Sequence, residues 1–222
     1  MTQPTTPPAQ RPHWRGRLHQ WAAVFAVGAG TGVVAMAPTP RARLAVGIYA
    51  LSLAILFGTS ATYHRITWGP RALAWMRRAD HAAIFVLIGG TYTPVMLLGV
   101  GGEAGARVLS IAWIGVAVGA LVSLFWPRAP KALRAAIAIA VGWTAVPYLG
   151  AMAASLGAAT LSLILLGGVA YSAGAVIYAL KRPNPWPRVF GYHEVFHALT
   201  IVAAALHLAA VIVIVRGHAV AG

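Results

Sequence analysis

His193 and His197 stand four residues apart in the segment Tyr192-His-Glu-Val-Phe-His197, at the start of a long apolar run. On a helix that spacing puts both imidazoles on one face, about one turn apart. Two neutral rings so placed can share one metal ion. His64, at the end of another apolar run, can supply a third nitrogen. Three protein ligands with one open position describe a catalytic zinc centre rather than a structural one. The chain has no cysteine, so imidazole and carboxylate are its only strong ligands, and redox chemistry says nothing about its compartment. Ser60 lies one turn before His64 on the same face. Asp80 is the only acid of its own apolar run, placed to orient a metal-bound water or to take its proton.

The same segment satisfies the metalloprotease pattern, His193-Glu-Val-Phe-His197, with Glu194 as the potential base. That pattern needs a third ligand downstream. No acid follows Glu194, and position 203, where the extended pattern expects a histidine, is alanine. His207 is ten residues beyond His197, about 15 Å along a helix axis, too far for the same ion. A protease would have to borrow its ligand from His64 or Asp80, and we give that reading less weight.

The elements that must position these residues are membrane spans. Of 222 residues, 59% are apolar and 9% charged, with Asp80, Glu103 and Glu194 the only acids; mean hydropathy is +0.76. A water-facing surface needs far more charge, so a soluble globular domain is excluded. With about 20 residues per span, the chain holds six or seven spans and no extramembrane domain. Residues 1–12 (MTQPTTPPAQRP) read as a disordered tail, and residues 13–222 as a single membrane domain. Apolar runs bounded by basic residues, proline or glycine fall near 20–37, 43–64, 79–100, 106–126, 132–153, 157–180 and 192–215. Pro94 and Pro147 should kink spans three and five. Gly28/Gly32 and Gly115/Gly119 have the spacing that lets helix backbones approach. The first run, ending in Ala35-Met36-Ala37, imitates a secretory signal. It is long for one, with Pro38 directly after the cut, and we read it as a retained span.

Charge sets the orientation. With the N-terminus inside, thirteen of the 17 basic residues fall on inner segments, and only Arg41, Arg43, Arg107 and Arg216 outside. The expected fold is an all-α integral membrane protein: a seven-transmembrane helix bundle with a cytoplasmic N-terminus and the C-terminus outside, multi-pass in the cell inner (plasma) membrane. The formal charge of +14 is thereby explained at span ends, and nucleic-acid binding is not expected. Trp14, Trp21, Trp68, Trp126 and Trp186 sit where interfacial belts belong. This topology puts His64, Asp80, His193 and His197 at one depth near the cytoplasmic face. Ionisable groups in spans are functional by default. One histidine there would be an ordinary belt residue, but three beside a lone acid point to metal binding. His81 points about 100° away from Asp80 and is not expected to be a ligand. His207 reads as an internal polar contact, and His13, His19 and His218 as solvent or headgroup residues.

The stretches Ser60-Ala-Thr-Tyr-His64, Asp80-His-Ala-Ala-Ile-Phe with Gly90-Thr-Tyr-Thr-Pro94, Gly168-Val-Ala-Tyr-Ser-Ala-Gly174 with Tyr178, and Gly191-Tyr-His-Glu-Val-Phe-His197 with His207 resemble the hemolysin III family. These are bacterial relatives of the adiponectin and progestin receptors, in a wider superfamily that includes alkaline ceramidases. The likeness covers all seven spans in order. It implies that His64, His193 and His197 hold zinc, that Asp80 contacts the zinc-bound water, that Ser60 lines the same site, and that the N-terminus is inside. Glu194 has no counterpart need in the receptors. The ceramidase kinship implies zinc-dependent hydrolysis of a lipid amide or ester, with membrane lipids as partners and the acyl chain between helices. The family name implies instead a channel or lysin active in cytolysis. A membrane sensor or regulator with a structural zinc is the third reading. Apart from His207 and scattered Ser, Thr and Tyr, the outer halves of the spans are apolar, which argues against a permanent aqueous pore.

Overall fold

The structure is a computed structural model that describes residues 12–220; the expected tail lies outside the described residues except for Pro12. Helices α1 (Arg17–Met36), α2 (Pro40–Arg65), α3 (Pro70–Pro94), α4 (Gly102–Phe125), α5 (Lys131–Gly142), α6 (Leu149–Leu180) and α7 (Tyr192–Val220) account for nearly all of the chain. Among the described residues there is no strand beyond an isolated bridge between Trp186 and Phe190. Six helical stretches are long and apolar enough to cross a membrane, and the fifth, Lys131–Leu180, runs for 50 residues.

Local chemistry explains the helix ends. Thr39 caps α2 by accepting the Ala42 N–H at 3.1 Å, with Pro40 in the first turn, where its missing N–H costs nothing. At Pro94 the helix cannot keep its bonding ladder, and α3 passes into a wider π-helical stretch, Val95–Val100. Around Pro147 the break is larger than a kink: α5 stops at Gly142, a 3-10 turn covers Val146–Tyr148, and α6 begins at Leu149. Inside α6, Gly157 leaves helical geometry altogether (φ 73°, ψ 163°), a conformation open to glycine and strained for residues with a Cβ. The expected spans five and six therefore meet at a glycine hinge within one continuous helical stretch.

Each helix packs on its neighbour in sequence, and α1 also packs on α7, which closes a ring; α3 touches α2, α4, α5 and α7 and so lies at its centre. The outward faces are apolar, as with Trp21, Phe25, Leu44 and Ile114. Helix α1 buries a single stripe, His19, Ala26, Gly30 and Val33, the helical spacing of one face. Gly30 is the packing glycine there, since a Cβ on it would press on Ala50, while nothing approaches Gly28 or Gly32. The expected role of that glycine pair is thus not seen within this chain. Gly115 and Gly119 do pack as expected: a Cβ would press on Val141 in one case and overlap the Phe85 ring in the other.

Candidate metal centre

The ring brings the C-terminal end of α2 against the N-terminal end of α7. The start of α7 is fixed by side chains that satisfy its unpaired donors: Glu194 accepts the Gly191 N–H at 2.9 Å, and Asn184 accepts the Tyr192 N–H at 3.0 Å. Glu194 is completely buried and also accepts from Nε of Arg15 at 2.6 Å. Its carboxylate is engaged away from the histidines and is absent from their cluster.

His64, His193 and His197 each offer a ring nitrogen within 4.8 Å of the other two. His193 Nε2 and His64 Nε2 stand 3.1 Å apart. Three imidazoles from two helices, converging at that distance, have the donor chemistry and spacing for one metal ion. The cluster could form a metal site.

Ser60, one turn before His64, is buried, and Asp80 of α3 stands on the same wall. Both line a cavity of about 150 Å3 that begins at His193 and His197 and runs into the bundle. His81 points elsewhere than the cluster. Its Nδ1 lies 3.3 Å from Nη1 of the buried Arg134, and its Nε2 lies 3.3 Å from the Tyr178 hydroxyl. Arginine only donates, so Nδ1 accepts and Nε2 carries the proton. Arg134 also donates to the Pro127 carbonyl at 2.9 Å, and the Lys131 ammonium sits 4.5 Å from the centre of the Tyr178 ring. A positive rim thus stands beside the cavity mouth.

His19 departs from expectation. It is only 2% exposed, stacks on His197 with ring centroids 3.8 Å apart and planes 11° from parallel, and meets Phe57 edge-on at 5.0 Å. His19 thus forms a wall of the site against the His197 ring. The sequence reads it, with His13 and His218, as a solvent or headgroup residue. Yet it lies in the first turns of α1, at the end of the bundle where the other three converge. His13 and His218 are exposed, as expected. Just before α1, Gly16 adopts a left-handed conformation (φ 76°) where a Cβ would press on the His64 side chain. Around it, the His13 and Trp14 N–H groups donate to the carbonyls of Arg188 and Val189. This strap leads from the 186–190 loop to the histidines, and Arg15 is part of it. The partnership of Arg15 with Glu194 had no local signal in the sequence.

A polytopic helical bundle with a convergent histidine triad at the mouth of an internal cavity is the class that fold and site define. Residues 9–208 match the model of the family described as Haemolysin-III related. The chain is 30% identical over 158 residues to the Hemolysin-3 homolog of Bacillus subtilis (strain 168), covering 71% of each chain. It is 28% identical to Hemolysin-3 of Bacillus cereus, covering 76% of this chain and 74% of the relative. It is 34% identical to the Heptahelical transmembrane protein ADIPOR2 of Oryza sativa subsp. japonica, covering 71% and 76%. The chain belongs to the haemolysin-III family of membrane proteins and is adiponectin receptor-like.

Proposed function

We propose that the chain crosses the inner membrane seven times, with the N-terminus cytoplasmic and the C-terminus outside, and that its histidine triad holds zinc and serves hydrolysis of a lipid amide or ester. The 50-residue stretch Lys131–Leu180 would be about 75 Å long if straight, more than twice the roughly 30 Å hydrocarbon core. The break after Gly142 and the hinge at Gly157 are natural places for it to turn back, and the rice relative is named heptahelical. The distribution of basic residues supports the orientation.

The observation that carries the hydrolase reading is that His193 and His197 of the triad line one mostly apolar cavity together with Ser60 and Asp80. Zinc, when bound, polarises a carbonyl oxygen and lowers the pKa of a coordinated water toward 7. Asp80 accepts the proton released by the attacking water, and Ser60 lines the cavity beside it. The acyl chain fills the cavity beyond, which keeps bulk water from the reacting carbonyl. His19 keeps the His197 ring at its angle. The bacillary relatives carry a haemolysin name, but a cavity wall this apolar suits a lipid tail better than an ion path. The experiment is release of fatty acid from a ceramide-type amide by the purified protein. Asp80→Asn should keep its metal and lose the release; Asp80→Asn at full turnover would remove the carboxylate from the mechanism.

A further inference from the structure

The cavity does not end at the histidine triad. Its far part is lined by Tyr171 of α6 and His207 of α7. His207 Nδ1 and the Tyr171 hydroxyl are both buried and without a hydrogen-bond partner among the described residues. Other polar groups at this level are satisfied within the protein. Tyr92 donates to the Gly142 carbonyl at 2.8 Å, and the Trp143 indole N–H donates to Ser172 at 2.9 Å.

The two remaining atoms are complementary. His207 Nε2 lies 3.0 Å from the Ile164 carbonyl oxygen, which can only accept, so Nε2 carries the proton and Nδ1 presents a bare lone pair. Tyr171 brings an O–H donor. The two rings are 5.5 Å apart at their centroids and do not bond each other. Leaving such buried groups unpaired is costly. A hydroxyl, which donates once and accepts once, satisfies both. A methylene satisfies neither, and a carbonyl satisfies only the tyrosine. His207 is held close by Gly167 of α6, where a Cβ would overlap its ring, so the position of the acceptor is fixed by packing.

We propose that the cavity takes a hydroxylated long-chain acyl lipid, its head at the histidine triad and its mid-chain hydroxyl held between Tyr171 and His207. The proposal rests on the cavity being a lipid site, as proposed above. From His197 to His207 is ten residues, about 15 Å along α7, and an extended hydrocarbon covers that in about a dozen carbons. The hydroxyl read here is therefore far from the reacting carbonyl and acts in selection.

The test is binding to the full chain purified in detergent, by calorimetric titration with 12-hydroxyoctadecanoate, 2-hydroxyoctadecanoate and octadecanoate as probes. The mid-chain hydroxyl should tighten binding by about tenfold, equivalent to roughly 1.4 kcal/mol, and the hydroxyl beside the carboxylate should not. Tyr171→Phe deletes one oxygen and keeps the ring. It should abolish the preference, so that the three acids bind alike. Equal affinities in the wild type, or a preference that survives Tyr171→Phe, would overturn the proposal and make the pair a water site within a cavity that still binds lipid. Binding of none of the three acids would overturn it together with the lipid reading of the cavity. Because no turnover is measured, failure of hydrolysis alone leaves this result readable.

Discussion

Glu194 sits between two candidate ligands in a metalloprotease-like pattern, and its charge is the point on which the readings divide. Its carboxylate is fully buried and receives Arg15 Nε at 2.6 Å and the Gly191 N–H at 2.9 Å, while Arg15 is 23% exposed. Removing one partner of a buried pair strands the other, at about 3–5 kcal/mol. Water reaching the arginine side lowers that, so Arg15→Met should destabilise the protein by about 2–3 kcal/mol. Glu194→Gln keeps an oxygen for Gly191 and lets Arg15 turn to water, and should cost about 1–2 kcal/mol. The double variant has no stranded carboxylate and should resemble Glu194→Gln alone, a coupling of about 2–3 kcal/mol. The assay is reversible unfolding in mixed micelles, with metal content and lipid amide turnover measured on the same samples. Glu194→Gln should retain metal and stay within about tenfold of wild-type turnover. Additivity of the two single changes would refute the ion-pair argument. A collapse of turnover in a stable, metal-loaded Glu194→Gln would make Glu194 the base.

One zinc per chain is expected, with His64→Ala, His193→Ala and His197→Ala each losing it on elemental analysis; full occupancy in His197→Ala would contradict the site as drawn. Chelation should lower the thermal midpoint of the wild type, because zinc ties α2 to α7 in the folded state alone, and should leave the triple-histidine variant unmoved. Gly119→Ala places a Cβ into the Phe85 ring and should destabilise by about 1–3 kcal/mol, whereas Gly28→Ala, with nothing near it, should be neutral or slightly stabilising in the same unfolding assay.

The sequence made the triad legible because depth in a bilayer is a one-dimensional coordinate, and alternating spans place a residue on it without any knowledge of packing. His64, His193 and His197 were brought together on that basis, and the structure places their nitrogens within reach of one ion. The same coordinate applies to His19, near the start of α1, which the sequence reads instead as a solvent or headgroup residue. What depth does not supply is rotation about the helix axis. The Gly28/Gly32 spacing states that two backbones could approach, not that this face of α1 is turned inward. The inward face is set instead by the stripe from His19 to Val33, with Gly30 against Ala50. The Arg15–Glu194 pair joins residues 179 apart, and no local pattern announces it. The hinge at Gly157 falls where the apolar runs 132–153 and 157–180 meet, so its place was legible, while its left-handed φ was not.

The candidate centre is assembled from parts of the chain that meet only when the ring closes. The strap at residues 15–16 and His19 come with α1, Ser60 and His64 with α2, Asp80 with α3, and His193 to His197 with α7. The triad joins α2 and α7, which are far apart in sequence, touch each other directly, and are both packed on α1 and α3. A metal bound there gains nothing from the open chain, so its binding free energy is coupled to closure of the bundle. Closure also buries the ion pair at Glu194 and stacks His19 on His197. Metal affinity, the Arg15–Glu194 coupling and the order of α1 are on this argument one linked equilibrium, and a change that loosens α1 should weaken metal binding without touching a ligand.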